Sequence, residues 1–192
     1  MKNLWLMFVM AFLVLPGWAS ATLIGDQVLI EQNRTTLGTF RDDLVTVGAG
    51  VELSCPGAFE LCEANIPGDS QGSIDIGASS ILFNLGSIIA AAFESDIFNG
   101  YIFSDLDWTD GPGAITGVSL VTDVDGLIAS RISFGSDFVA VNFESLLLDE
   151  DDTFFELTLT HSVSVPEPGT LGLLVAGLLG FLAKSLSRRH RS

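Results

Sequence analysis

The stretch TFFELTLTHSVSV, Thr153 to Val165, constrains the chain more than any other. Phe155, Leu157, Leu159, Val163 and Val165 fall on one parity, and Glu156, Thr158, Thr160, Ser162 and Ser164 on the other. A two-residue period puts the first set on one face of a strand and the second on the opposite face, so the stretch belongs in a sheet with one buried side. Shorter versions recur at 26–32, 43–47, 59–66, 73–78, 81–85, 100–106, 115–121, 130–134 and 138–143. Turn residues separate many of them, among them Gly48-Ala49-Gly50, Pro67-Gly68-Asp69, Asp125-Gly126 and Gly135-Ser136-Asp137. The expected class is all-β, an antiparallel two-sheet sandwich with a jelly-roll-like arrangement. One stretch, SIIAAAFES (87–95), spaces Ile88, Ala91 and Ala92 helically and predicts one or two helical turns.

The amino end follows a different logic. Met1-Lys2-Asn3 is a short positive region, Leu4 to Leu15 is an unbroken apolar run, and Ala19-Ser20-Ala21 supplies small residues at the A-x-A positions. This is the pattern of a secretory signal peptide over 1–21, cut before Thr22. Export through the Sec translocon and cleavage by signal peptidase are expected. Twelve apolar residues fall short of a membrane span, which weighs against a permanent anchor.

Charge narrows the partners. Between Thr22 and Val165 stand 23 Asp and Glu against three arginines, Arg34, Arg41 and Arg131, and no lysine. Nucleic-acid binding rests on neutralising phosphates, so a nucleic-acid partner is excluded on charge. The only cysteines, Cys55 and Cys62, both lie in this exported segment, where an oxidising compartment predicts a disulfide between them.

A search for catalytic chemistry returns little. The exported segment holds one histidine, His161, on the inward parity of the last strand, and no G-x-S-x-G, H-E-x-x-H or P-loop pattern occurs. Acid pairs suited to glycoside hydrolysis are inevitable among so many carboxylates, which makes each pair uninformative. No enzymatic activity and no obligatory cofactor are expected. Calcium is the one cation with a candidate site: Asp105, Asp107 and Asp110 precede Gly111, and alternate residues of an extended segment project to one side. Asp123-Val124-Asp125-Gly126 offers a second D-x-D, though such acids beside glycine are also ordinary turn chemistry. Trp108, Tyr101 and Phe98 are the aromatics to inspect as a carbohydrate platform, and each also suits the core.

The carboxyl end reverses the charge. Val165-Pro166-Glu167-Pro168 leads into an apolar run, Leu171 to Ala183, then Lys184, Arg188, Arg189 and Arg191. The run spans about 20 Å as a helix, and flanking residues with Lys184 snorkelling extend it to marginal transmembrane length, about 169–187. Ala176 and Gly180 give it a small-xxx-small face. The arginines obey the positive-inside rule, which predicts a domain outside, a single pass, and a basic tail, 188–192, inside.

This tail resembles the PEP-CTERM protein-sorting signal of Gram-negative bacteria, a region also labelled an ice-binding-protein C-terminal domain. The resemblance covers roughly 165–192 and implies processing by an exosortase, a membrane-embedded cysteine transpeptidase-like enzyme. By that likeness Val165, Pro166, Glu167 and Pro168 form the sorting motif, and Lys184, Arg188, Arg189 and Arg191 hold the tail at the membrane. Expected organisation is therefore a signal peptide (1–21), a β-sandwich passenger (22–164) and a sorting signal (165–192). The resemblance further implies a single-pass inner-membrane intermediate, then the cell surface or extracellular matrix. Extracellular polysaccharide or biofilm matrix is the implied partner. A calcium-assisted carbohydrate-binding module and a polysaccharide hydrolase are the alternatives.

Overall fold

The computed structural model describes residues 22–63, 72–86, 91–108, 113–149 and 153–163. The expected signal peptide and sorting tail lie outside these residues, and so does the expected transmembrane helix. Two five-stranded antiparallel sheets form the sandwich. The first runs in the order β2 (Gly38–Thr46), β1 (Gln27–Arg34), β7 (Asn99–Ser104), β10 (Val139–Asn142), β9 (Ile132–Phe134). The second runs β3 (Leu53–Ser54), β4 (Ser73–Ile76), β5 (Ser80–Asn84), β12 (Phe154–Val163), β8 (Gly113–Thr122). A short ribbon pairs β6 (Ala91–Ala92) with β11 (Leu147–Leu148).

The alternating sequence does what its period requires. Val28 and Ile30 of β1, Ile74 and Ile76 of β4, Phe103 of β7, Val139 and Val141 of β10, and Phe155, Leu157 and Leu159 of β12 are buried between the sheets. Phe155 stacks on Phe83 with ring centroids 5.0 Å apart and leans on Phe143 of the opposite layer at 5.6 Å. Burying an aromatic side chain of this size contributes about 1.5–3 kcal/mol. Gly100 has no alternative in β7, because a Cβ there would collide with the carbonyl of Val141 on β10.

Three expectations are revised. Residues 59–66 do not form a strand: Glu60–Glu63 is a short 3-10 helix, and 64–66 fall outside the described residues. Its local alternation is overridden because Cys62 is bonded to Cys55 and the Asp43 carboxylate accepts from the Glu60 and Leu61 N–H groups, at 3.2 and 2.9 Å. Within the expected helix 87–95, residues 87–90 are outside the described set, and Ala91–Ala92 is strand β6, drawn into register with Leu147 and Leu148. Only the later strands alternate between sheets as in a jelly roll; β1–β2, β3–β4–β5 and β9–β10 connect within one sheet.

The sandwich has two poles. Gln27, Ser104 and Val139 lie towards one, and Arg34, Asn99 and Asn142 towards the other, because β1, β7 and β10 pair antiparallel in that register. In the second sheet Val163 pairs with Gly113, and the Ile115 N–H donates to the Ser136 carbonyl at 2.9 Å in the β9–β10 turn. The last strand therefore finishes at the first pole, called here the carboxyl pole.

Candidate functional site

At the carboxyl pole, the chain leaves β7 through Asp105, whose φ of 59° is left-handed. That turn sends Leu106 and Trp108 inward and leaves Asp105 and Asp107 exposed. The Leu106 N–H donates to the Asp137 carbonyl at 2.9 Å, and the Asp107 N–H donates to Asp26 Oδ2 at 2.8 Å. Burial pushes the Asp26 carboxyl above its ordinary 3.8, and the charges of Asp107 and Asp105 add to that against two backbone hydrogen bonds. Asp105 and Asp107 are thus both neighbours of Asp26, which the linear sequence did not announce. Asp110, the third expected calcium ligand, lies outside the described residues. Among the described residues no group of three or more His, Cys, Asp or Glu is placed to hold a metal ion.

Beneath these acids, Trp108 and His161 stack, with ring centroids 4.4 Å apart and planes 20° from parallel. Trp108 is 4% exposed. Trp108 Nε1 and His161 Nε2 are both enclosed without a hydrogen-bond partner among the described residues. The one histidine of the exported segment is thus half-buried and packs face to face on Trp108. Trp108 is core and not a platform. Tyr101 packs between Phe83 at 4.8 Å and Phe143 at 6.1 Å, and burial pushes its hydroxyl up to about 12. Phe98 is half-buried, so these three do not make an exposed aromatic line.

The opposite pole holds the polar structure that sequence reasoning missed. Arg34 reaches Glu94 at 2.6 Å and Asp96 at 3.2 Å, and Asp96 also accepts from the Thr36 N–H and hydroxyl at 3.0 and 2.7 Å. The Thr36 hydroxyl is the main reason the Asp96 carboxyl sits below its ordinary value. Arg131 donates to the carbonyls of Asn142 and Glu144 at 3.3 and 2.8 Å. Hydrogen bonds from Ser145 and Ser95 hold the Glu144 carboxyl low. Asn99 and Asn142 join the two arginine clusters: Asn99 Nδ2 donates to the Glu94 carbonyl, and Asn142 Oδ1 accepts from the Asn99 N–H. Asp123 accepts from the Thr153 and Phe154 N–H groups, each at 2.9 Å, and from the Thr153 hydroxyl. Burial works against the Asp123 charge, yet these bonds hold its carboxyl low. It is a bracket for the start of β12, in keeping with turn chemistry for that D-x-D. Arg41 serves the side of the sandwich, donating to Gln32 Oε1 and the Glu63 carbonyl. All three arginines of the exported segment are therefore bound to its own loops.

The remaining candidate is the tail. The last described strand of the sandwich ends at Val163, directly before that tail. Residues 164–189 match the family model of the PEP-CTERM protein-sorting motif. The match includes Val165, Pro166, Glu167, Pro168, Lys184, Arg188 and Arg189, and stops before Arg191. All of these lie outside the described residues, and among those described no helix is long and apolar enough to cross a membrane. No curated protein and no solved structure matches the chain. The motif supports an exported, membrane-transiting protein of the cell surface with an exosortase as its processing partner.

Proposed function

We propose that the protein is a non-enzymatic component of the extracellular polysaccharide or biofilm matrix of a Gram-negative bacterium, delivered as a sandwich by exosortase trimming of its tail. The observation that carries this reading is the sorting motif at 164–189. The precursor passes the inner membrane through the Sec translocon, loses residues 1–21 to signal peptidase, and is held by a single span at about 169–187. Val165 to Pro168 are the recognition segment, and Lys184, Arg188, Arg189 and Arg191 keep the tail end cytoplasmic.

The mature surface narrows the kind of polysaccharide. With its three arginines engaged internally, the domain has no cation to offer an anionic polymer and a large excess of carboxylate to repel one. A neutral or amine-bearing polymer suits it. The enclosed Nε2 of His161 supports a role without catalysis. Calcium-assisted carbohydrate binding draws less support, since Trp108 and Tyr101 are spent on the core.

The test is co-sedimentation of the mature protein with the polysaccharide its host extrudes, while reducing ends are counted in the same tube. Retention without new reducing ends supports the proposal. Release of reducing ends would convert it to a hydrolase, and failure to co-sediment would remove the matrix assignment.

A further inference from the structure

We infer that the carboxyl pole is a docking surface for the enzyme that cuts the tail, presenting an acidic, partly apolar face to a basic patch on that enzyme. This rests on the exosortase reading above and adds to it the part of the folded domain that the enzyme must meet.

The motif follows the last strand closely. β12 is an internal strand, paired on both sides from Phe155 to Thr158, and it stays paired with β8 until Val163 meets Gly113. The sorting match starts at the next residue, 164. Pro166 is three residues beyond Val163, which is about 10 Å of fully extended chain. An enzyme that holds 165–168 in its active site therefore has this pole against it. Peeling the end of β12 away to gain length would separate His161 from Trp108 and break the Ala114–Ser162 and Gly113–Val163 pairs.

The composition of this pole suits a basic partner. Hydrogen bonds link the end of β12 through Ile115–Ser136 and Leu106–Asp137 to Asp107–Asp26, so these segments form one continuous surface. Its charged groups among the described residues are Asp26, Asp105, Asp107 and Asp137, all of one sign. Phe138, 37% exposed, lies over Gly135 in the same turn and supplies an apolar anchor among those carboxylates. Buried apolar contact ringed by charge is how protein interfaces obtain affinity and orientation together. Burial raises the Asp26 carboxyl, and the charges of Asp107 and Asp105 beside it add to that.

The amino end of the described chain lies at the same pole. The Leu23 N–H donates to the Ala78 carbonyl and the Leu159 N–H to the Ser79 carbonyl, both at the β4–β5 turn. The described chain thus begins and ends at this pole.

The experiment follows conversion of the full precursor to the mature form in its host by pulse-chase and intact mass. Asp107→Lys combined with Asp137→Lys is expected to slow conversion about 5-fold, the scale on which rim charges alter encounter. Asp42→Lys, exposed midway along β2, should leave the rate unchanged. Inserting about ten Gly and Ser residues between Ser164 and Val165 should bring the double variant back to within about 2-fold of the similarly extended wild type. Unchanged conversion of the double variant would overturn the docking surface. Equal slowing with and without the insertion would also overturn it, pointing to misfolding or adsorption on the anionic bilayer. A wild-type precursor that is never cut would instead overturn the exosortase reading itself.

Discussion

The two poles of the sandwich spend the same residue type in opposite ways. At the distal pole, Asp96, Glu144 and Asp123 hold loops together, and each carboxyl sits below its ordinary value because it accepts hydrogen bonds in its charged form. At the carboxyl pole, burial pushes Asp26 the other way, with Asp107 and Asp105 adding repulsion. Both arginine clusters, half-buried, serve the distal pole, where Asp96 is only 5% exposed along its side chain. The difference teaches that an acidic composition is not a single property. One pole uses carboxylates to fold, and the other holds one, Asp26, whose charged form burial disfavours.

The comparison can be broken or sharpened by variants, beginning with the core that both poles share. Phe155→Ala removes a fully buried ring between Phe83 and Phe143 and should cost about 3–5 kcal/mol in urea unfolding. A loss below about 1 kcal/mol would show that the layers are not packed on Phe155. Replacing Cys55 and Cys62 by serine should cost roughly 2–3 kcal/mol by freeing a short loop in the unfolded chain. It should also loosen the Glu60–Glu63 turn that Arg41 and Asp43 hold against β2.

Asp96→Asn tests the distal pole, and should lower Tm at neutral pH by about 3–6 °C. For depressed carboxyls, the stabilisation is fully present above the ordinary values, 3.8 for Asp96 and Asp123 and 4.5 for Glu144, and is lost as pH falls through the lower folded-state values. The variant should therefore show a shallower loss of Tm below pH 4.5 than the wild type. The smallest effect belongs to Asp26→Asn. A raised carboxyl favours folding only while protonated, a contribution lost as pH rises above 3.8 through the folded-state value, so the amide should raise Tm at pH 7 by about 1–2 °C. A clear drop would mean that the carboxylate itself is structural and that the poles do not differ.

Much of this was legible in the sequence, for identifiable reasons. β4 and β12 alternate because each buries one face, and a period of two records that directly. The first half of β2 left no such record, since Gly38 to Asp43 lies on an edge with both faces largely exposed. β3, β6 and β11 are two residues long and carry no period. The Glu60–Glu63 turn deceived because Phe59 and Leu61 alternate locally while a disulfide and a distant carboxylate set the backbone. The sorting motif was legible because an enzyme reads it as a linear sequence. The carboxyl pole was not, because only strand register brings Asp26, Asp107, Asp137 and Val163 to one end.

The central claim is that this acidic sandwich is a precursor trimmed just beyond its last strand. Intact mass of the protein from its native host, with and without a working exosortase, tests it most directly. The account predicts a mature chain starting at Thr22 and ending near Pro168, with the tail retained when the enzyme is missing. A chain that keeps Arg191 in both strains would contradict it and make the tail a permanent anchor.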